Sequence, residues 1–477
     1  MTATLDVKGL EIKYHTRDGV LTAIRDVNFV VEERQIVGLV GESGCGKSTV
    51  ATALLRLLPP NGEITGGQIL FKGQDLRQLS EDQMRELRGT QISMIFQDPM
   101  TCLNPVFSIE TQMLDALKAH NPDRSTAELR ERALQMLERV GIPDARRRIQ
   151  EYPHQFSGGM RQRIMIANAL MSNPALLLAD EPTSALDVTL EAQIVDLIRG
   201  LRDELGTSIL YITHDLGVVA QLCDYVVVMY AGNVVEAGDV YSVFDSPKHP
   251  YTRALLRSHP SRGHRVARLT TIPGRVPSLR ELPAGCKFAP RCAFANERCM
   301  QVEPQYLQAG NQTILCHSLD SIAQPDRILE TVETPPPALR PEYVERKLSA
   351  PAQQVVQTRD LRVYFYDRPG IVDQILRRKM GRVQAVDNVS FTVRGGETLA
   401  LVGESGSGKT TLGRAILRLE RPTSGEVIVD GIDITNLSQS RVRPMRARMQ
   451  MIFQDPVSSL SPRMKVSSIL LEPFRIH

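Results

Sequence analysis

The chain has 477 residues, enough for two or three domains that each bury a core of their own. Its apolar fraction of 42% and charged fraction of 23% are ordinary for a globular protein, and the net charge of +3 is too small to indicate a nucleic-acid partner. No apolar run is long enough to span a bilayer, and the N-terminus lacks the pattern of a secretory signal.

The first strong motif follows the predicted strand IVGLV. The segment GESGCGKS fits the phosphate-binding pattern GxxxxGK[ST], and the helical stretch TVATALLRLL follows it. In such a loop glycines let backbone N–H groups surround the phosphates, the lysine places its charge at the β- and γ-phosphates, and the last hydroxyl faces Mg²⁺. This context predicts a nucleotide site rather than a turn that binds nothing, formed by Gly41, Ser43, Gly44, Gly46, Lys47, Ser48 and Thr49.

A second phosphate site is predicted in the segment FSGGMRQR. Ser157 is a good N-cap, so Ser157, Gly158 and Gly159 present a hydroxyl and free N–H groups at the positive end of a helix. One nucleotide has one γ-phosphate, which the first loop already holds. We therefore expect this second site to close on a nucleotide that another domain binds.

The segment LLLADEP predicts the acidic part of the site. Asp180 ends an apolar strand and suits Mg²⁺, directly or through water, and Glu181 can orient or deprotonate an attacking water. An acidic pair that merely faces solvent is the alternative, which the phosphate loop upstream disfavours. The short apolar runs in VGLV, LLLAD, SILYITHD and YVVVMYAG predict buried parallel strands and an α/β fold.

Four cysteines follow within a short stretch: Cys286, Cys292, Cys299 and Cys316. In a chain without a secretory signal, clustered thiols favour a metal or a cluster over disulfides. Four thiolates can hold a [4Fe–4S] cluster or one zinc, with His317 able to replace one ligand. The spacing differs from the CxxC…CxxC of zinc ribbons, and unliganded thiols in a small loop-rich core remain the alternative.

The sequence then repeats itself. AIRDVNFVVEERQIVGLVGESGCGKST matches AVDNVSFTVRGGETLALVGESGSGKTT, and MIFQDPMTCLNP matches MIFQDPVSSLSP. The long spacing predicts two copies of a whole domain. We predict a first domain over 1–260, a four-cysteine extension over 261–325, a Pro-rich semi-rigid linker over 326–354 and a partial second copy over 355–477. The second nucleotide loop comprises Gly403, Gly406, Gly408, Lys409, Thr410 and Thr411, with Gln454 matching Gln97.

The ordered set of motifs resembles the ATP-binding-cassette (ABC) ATPases over about residues 5–245. That resemblance implies a P-loop NTPase fold of the ABC type with a helical signature subdomain, repeated in tandem with an incomplete second copy. It also implies ATP and Mg²⁺ as ligands, with four residues near the metal: Ser48, Gln97, Thr410 and Gln454. The usual signature is LSGGQ, from which this chain departs at Phe156 and Met160.

The same resemblance implies individual roles. Gln97 would touch Mg²⁺ and water and sense a membrane partner, and His214 would contact the γ-phosphate. Asp187 would lie at a dimer seam. Tyr14, and Phe365 in the second copy, would stack on adenine.

The stretches SPKHPYTRALL and IPGRVPSLRELPAGCKFAPRC resemble the C-terminal extension of oligopeptide, dipeptide and nickel importer ATPases, some of which carry an iron–sulfur cluster on these cysteines. The resemblance implies the ATP-hydrolysing subunit of a peptide or nickel importer, peripheral on the cytoplasmic side of the membrane. Its implied partners are permease subunits, a second ABC domain and, indirectly, an extracellular solute-binding protein, with no nucleic acid. The alternatives are a tandem-cassette ATPase acting on ribosomes or DNA, and a non-hydrolysing fragment.

In this family two cassettes enclose two ATP molecules, each between one phosphate loop and the other signature. The second copy ends before a signature, so neither site is complete within the 477 residues. We therefore expect the sequence to be a fragment of a longer two-cassette protein. The alternative is that the first cassettes of two chains pair.

Overall fold

The computed structural model describes residues 3–97, 102–184, 186–258, 271–317, 353–366, 382–404, 406–453 and 459–476. The chain divides into a first unit, Met1–Thr334, and a second unit, Pro335–His477. Most of the predicted linker, residues 326–352, lies outside the described residues, as does Gln454.

The first unit contains two sheets. Its strands are β1 (Ala3–Thr16), β2 (Gly19–Glu32), β3 (Ile36–Val40), β4 (Gly62–Phe71), β5 (Gln74–Asp75), β6 (Ile92–Ile95), β7 (Leu176–Asp180), β8 (Ser208–Thr213), β9 (Tyr225–Tyr230), β10 (Asn233–Asp239), β11 (Tyr306–Ala309) and β12 (Gln312–Leu315). An antiparallel sheet has the order β2-β1-β4-β5, and an eight-stranded sheet has the order β11-β12-β10-β9-β3-β8-β7-β6.

The helices of the first unit lie mainly between the strands of the large sheet. They are α1 (Lys47–Leu54), α2 (Glu81–Leu87), α3 (Ile109–His120), α4 (Thr126–Arg139), α5 (Ala145–Arg148), α6 (Gly158–Leu170), α7 (Val188–Leu205), α8 (Leu216–Leu222), α9 (Val240–Asp245), α10 (Pro250–Ser258) and α11 (Glu297–Gln301). None of the helices in the described ranges has the length and apolar character needed to cross a membrane.

The centre of the large sheet is parallel and fully buried. β6, β7, β8, β3 and β9 run in the same direction, and every residue of β3, β7 and β8 is buried. Side chains alternate between the faces, so Ile36 and Val40 enter one hydrophobic core while Val37 and Leu39 enter the other. The predicted α/β architecture with doubly covered strands is confirmed, and the carboxyl ends of these strands gather the loops that follow them.

A helical region precedes β7. Ser108 and Ser125 cap α3 and α4 by accepting hydrogen bonds from the N–H groups of Thr111 and Glu128, and the Glu128 side chain completes a capping box. The apolar faces of α3, α4 and α6 pack into the same core as the buried strands. This packing sets the position of α6, which carries the predicted signature at its N-terminus.

The second unit repeats the antiparallel sheet of the first. Its strands β13 (Gln354–Tyr366), β14 (Arg382–Arg394), β15 (Ser424–Val429) and β16 (Ile432–Asp433) have the order β14-β13-β15-β16, the counterpart of β2-β1-β4-β5. Its helices are α12 (Lys409–Ile416), α13 (Gln439–Val442) and α14 (Val466–Ile476).

The segment that matches β3 is not a strand in the second unit. Leu399, Leu401 and Val402 are 48%, 51% and 86% exposed. In the first unit β3 is hydrogen-bonded on both sides by β8 and β9. The described residues of the second unit contain no counterparts of those two strands, so the segment has neither ladder partners nor cover.

Candidate functional site

The phosphate loop joins β3 to α1 and is shaped by glycines. Gly41 has φ 154° and Gly46 has φ 106°, conformations that side-chain-bearing residues rarely adopt. A Cβ atom at Gly41 would overlap the carbonyl oxygen of Met229, and one at Gly46 would meet the side chain of Ile24. The two positions therefore require glycine both for backbone conformation and for space.

Lys47 lies where the sequence predicted it, at the first residue of α1. Its side chain is buried, and Nζ donates to the carbonyl oxygens of Gly41 at 2.8 Å and Glu42 at 3.3 Å. The ammonium group therefore bridges two carbonyl oxygens at the start of the loop, and it adds a positive charge near the N-terminus of α1. Both features favour a bound phosphate.

Asp180 and Ser48 form the oxygen set that suits a divalent cation. Asp180 is buried at the end of β7, and its Oδ1 has no hydrogen-bond partner among the described residues. Burial raises the pKa of Asp180, as does the charge of Glu181, while the hydrogen bond with Ser48 and the charge of Lys47 oppose that shift. A buried carboxylate oxygen without a partner, beside a hydroxyl and a phosphate loop, fits Mg²⁺.

The three predicted catalytic residues meet at one carboxylate. Gln97 Nε2 donates to Glu181 Oε2 at 3.0 Å, and His214 Nδ1 is hydrogen-bonded to Glu181 Oε1 at 3.1 Å. Glu181 has φ 47°, a left-handed conformation, and its N–H donates to the carbonyl oxygen of Ile212 at 2.8 Å. Ser184 Oγ also donates to the backbone oxygen of Gln97 at 3.1 Å, which ties the two loops together.

The signature residues have the predicted helix-terminal geometry. Ser157 Oγ accepts a hydrogen bond from Met160 N at 3.3 Å and caps α6, and both Ser157 and Gly158 are exposed. Gly159 is buried, and a Cβ atom there would lie 2.9 Å from the Leu190 side chain. The exposed hydroxyl and the first N–H groups of α6 can therefore receive an anion.

Asp187 has a structural contact of its own. Its carboxylate accepts a hydrogen bond from Leu190 N at 3.0 Å and caps α7. Gln162, from α6, donates to the carbonyl oxygen of Pro182. The signature helix is thus linked to the segment that follows Glu181, a connection that the sequence motifs did not predict.

Tyr14 lies on β1, half-buried and paired with Gly62 of β4, so part of its ring is available to a ligand. Phe365 holds the matching position on β13 and is exposed. Neither arrangement tests adenine stacking, which stays a prediction.

The described glycines of the second phosphate loop have φ values close to those of the first. Gly403, Gly406 and Gly408 have φ 154°, 83° and 90°. Lys409 Nζ donates to the carbonyl oxygens of Gly403 at 2.6 Å and Glu404 at 2.5 Å. Thr410 and Thr411 follow in α12, and their contact with nucleotide and Mg²⁺ stays a prediction.

The four cysteines of the extension line one small cavity together with His317. Burial raises the pKa of Cys292 to about 12, and burial also raises the pKa of Cys286. Within the described residues no group of three or more His, Cys, Asp or Glu side chains has the geometry of a metal site. The structure therefore gathers the predicted ligands without arranging them as a metal cage.

The extension also contacts the phosphate loop through residues that the sequence motifs did not single out. Arg291 Nη1 donates to Glu42 Oε2 at 2.7 Å and Nη2 donates to Glu42 Oε1 at 3.1 Å. The two residues are 249 positions apart, and no spacing rule connects them. Tyr230 and Tyr251 surround the same contact.

Comparison with protein families finds two matches. The family described as "ABC transporter" matches residues 24–184 and 386–469. The family described as "Oligopeptide/dipeptide transporter, C-terminal region" matches residues 235–299, which include most of β10 and three of the four cysteines, Cys286, Cys292 and Cys299.

Three relatives illustrate the similarity of whole chains. The oligopeptide transport ATP-binding protein OppD of Mycobacterium tuberculosis is 40% identical over 480 residues, which cover 100% of this chain and 76% of OppD. The glutathione import ATP-binding protein GsiA of Salmonella typhimurium is 39% identical over 479 residues, covering 99% of this chain and 67% of GsiA. The probable peptide ABC transporter ATP-binding protein y4tR of Sinorhizobium fredii is 53% identical over 302 residues, covering 63% of this chain and 90% of y4tR.

Proposed function

The chain belongs to the ABC transporter family of ATPases, and on that premise we propose that it is the subunit that binds and hydrolyses ATP to power an importer of peptides. Family membership confirms the ABC-type fold in two copies and the ATPase class expected from the sequence. Peptide is the preferred solute class because residues 235–299 match the oligopeptide/dipeptide family and the relatives are named for oligopeptide, glutathione or peptide transport.

The observation that carries this proposal is the convergence of Gln97 and His214 on the Glu181 carboxylate. Two hydrogen bonds hold that carboxylate beside Asp180, at the end of the strand that neighbours β8 and close to the phosphate loop. A carboxylate so oriented can accept a proton from a water that attacks the γ-phosphate.

The remaining assignments of this proposal concern the phosphate loop and the metal. The loop 41–48 binds the phosphates of ATP, Lys47 contacts the β- and γ-phosphates, and Ser48 and Asp180 hold Mg²⁺. The metal neutralises phosphate charge when bound. Gln97 and His214 keep Glu181 in one orientation and are placed to contact water and the γ-phosphate.

A second ABC domain completes each site in this proposal. Ser157 and Gly158 are exposed at the N-terminus of α6, where a hydroxyl and N–H groups face outward. They serve the γ-phosphate of a nucleotide bound by the partner domain, and Asp187 lies at the seam between the two.

Permease subunits are the proposed membrane partners. A groove with apolar and polar walls lies beside Gln97, between the segment after β6 and helices α3 and α6; it is lined among others by Phe96, Leu103, Ala116, His120, Met165 and Met171. Gln97 directly follows Phe96 of this groove, its backbone oxygen accepts from Ser184 and its side chain donates to Glu181. In this proposal Gln97 therefore connects the docked permease with the catalytic carboxylate. Docking of a permease here places the chain at the cytoplasmic face of the membrane, with a solute-binding protein outside.

Peptide uptake tests this function. In source cells that lack the chain, we expect uptake of labelled di- and tripeptides to fall and to be restored by the wild-type chain but not by Lys47→Ala. Unchanged uptake in the deletion strain would contradict the importer assignment. Co-sedimentation of the chain with ribosomes or DNA, rather than with membranes, would favour the alternative class of tandem-cassette ATPase.

We further propose that Cys286, Cys292, Cys299 and Cys316 bind a metal centre, a [4Fe–4S] cluster in the first instance and zinc as the alternative. The support is that all four thiols line one cavity, with His317 beside them. Four thiolates are the ligand set of such a cluster. The centre would have a structural role in the extension.

Elemental analysis tests this proposal. Protein purified without oxygen is expected to contain about four iron and four sulfide per chain, the content of one [4Fe–4S] cluster. Cys292→Ser should lose most of that content, whereas Cys102→Ser, which lies outside the set, should keep it. Zinc without sulfide in the purified protein would support the zinc site in place of the cluster. An equal metal content in the wild type and in Cys292→Ser would contradict both the cluster and the zinc site.

A further inference from the structure

Arg291 lies in the short helical turn Ala289–Arg291 and is held from three sides. Besides its two hydrogen bonds to Glu42, Nη1 donates to Tyr230 Oη at 3.3 Å and Nε donates to the Pro273 carbonyl oxygen at 2.8 Å. Only 4% of its side chain is exposed. A forked guanidinium–carboxylate contact of this kind determines both the distance and the orientation of its partner.

Glu42 is the second residue of the phosphate loop, and all its polar groups are engaged. Its N–H donates to Tyr251 Oη at 2.9 Å, and its carbonyl oxygen accepts from Cys45 N at 3.2 Å and Lys47 Nζ at 3.3 Å. Its carboxylate accepts both branches of Arg291. The loop is therefore tied to the extension through the Glu42 side chain, and to α10 through the Glu42 backbone amide.

The aromatic side chains beside Glu42 pack against one another. The rings of Tyr230 and Tyr251 are 4.7 Å apart between centroids, and Phe288 packs against them at 5.2 Å and 5.4 Å. Burial alone would lower the pKa of Arg291, but its hydrogen bonds to Glu42 and Tyr230 raise its pKa above the usual value. The guanidinium thus remains charged, and removing it would leave the Glu42 carboxylate without its partner.

The second phosphate loop allows a comparison within the same chain. Glu404 occupies the position of Glu42, yet it is exposed, and its carboxylate has no ion pair or hydrogen bond within the described part of the second unit. The glycines of that loop nevertheless have φ values close to those of the first. The glycine conformations of a phosphate loop therefore form in the second unit without a counterpart of the Arg291 contact.

We propose that Arg291 is a positioning residue of the first ATP site: through Glu42 it holds the phosphate loop ready for nucleotide, so that the four-cysteine extension supports nucleotide affinity. The inference rests on the proposed ATP-binding function. A preorganised loop loses less conformational freedom when phosphate binds, which is the physical basis of the higher affinity.

The test measures the dissociation constant of MgADP for the full chain. Arg291→Met is expected to bind MgADP about tenfold more weakly, a coupling typical of two sites in one protein. Arg280→Met is the matched control, because Arg280 also joins the extension to the rest of the first unit, through an exposed ion pair with Asp18 at 2.7 Å. It should bind as the wild type does.

Two further variants test whether Arg291 positions Glu42 or only attaches the extension to the rest of the first unit. Arg291→Lys keeps the charge without the fork and should recover part of the affinity. Arg291→Met combined with Glu42→Gln should bind no more weakly than Arg291→Met alone, because the second change removes the same contact. If the double variant instead lost affinity for MgADP by the product of the two separate losses, the inference would be overturned.

The outcomes distinguish a failure of this inference from a failure of the proposed ATP-binding function. Wild-type protein that binds no MgADP would contradict the ATP-binding function itself. Wild-type binding with unchanged affinity in Arg291→Met would overturn only the role of Arg291. If Arg291→Met does not fold, Glu42→Gln removes the carboxylate that accepts both branches of Arg291; weaker MgADP binding supports the inference, and unchanged binding overturns it.

Discussion

Glu181→Gln is expected to abolish steady-state ATP hydrolysis while leaving ATP binding close to that of the wild type. Glutamine has the same length and can still bond Gln97 and His214, which now contact the carboxylate at 3.0 Å and 3.1 Å. It cannot accept a proton from water. Loss of a general base costs about 10²- to 10⁴-fold in rate, so turnover should fall by that amount.

The measurement is phosphate release by the chain assembled with its permease partners, alongside nucleotide binding by the same preparation. Glu204→Gln is a matched control, since Glu204 forms an exposed ion pair with Arg139 at 3.0 Å far from the site. Its turnover should equal that of the wild type. Normal turnover in Glu181→Gln would remove Glu181 from the catalytic role.

Lys47→Ala is expected to weaken nucleotide binding at the first cassette by about 10- to 100-fold, since a hydrogen bond to a charged group contributes roughly 1.5–3 kcal/mol. The lysine also donates to the carbonyl oxygens of Gly41 and Glu42, so its removal loosens the loop as well as removing a charge.

Titration with MgATP, with bound nucleotide counted per chain, provides the check. The second loop carries Lys409 in the same geometry, so a chain that loses only its first site retains binding at the second. Lys8→Ala changes an exposed lysine on β1 and should leave both affinity and stoichiometry unchanged. Full affinity and unchanged stoichiometry in Lys47→Ala would contradict the assignment of the first loop.

The sequence was informative wherever a short stretch of chain performs the chemistry. A phosphate loop needs glycines, a lysine and a hydroxyl within eight consecutive residues, 41–48, and a helix cap needs only Ser157 before its helix. The buried strands were equally evident, because strands covered on both faces are apolar throughout. Those local patterns sufficed to predict the fold class and the residues of the phosphate loops, whereas the family and the roles of Gln97, His214 and Asp187 came from the resemblance of the ordered motifs to ABC ATPases.

Contacts between segments that lie far apart in the sequence could not be predicted from these local patterns. Gln97, Glu181 and His214 were each predicted, but their meeting at one carboxylate depends on β6, β7 and β8 lying side by side in the sheet. The exposed segment at Leu399 depends on which strands surround it, since the same apolar pattern forms the fully buried β3 in the first unit.

The sequence by itself therefore determined which chemical groups this protein carries, since loops, caps and strands are written in consecutive residues. Only the tertiary structure decided which groups act on each other. Arg291 follows the first of the four cysteines in the chain, and nothing near it in sequence points to a phosphate loop. In the folded chain Arg291 contacts Glu42, next to Tyr230 of β9 and Tyr251 of α10. The contact forms because a buried charge needs an opposite charge beside it.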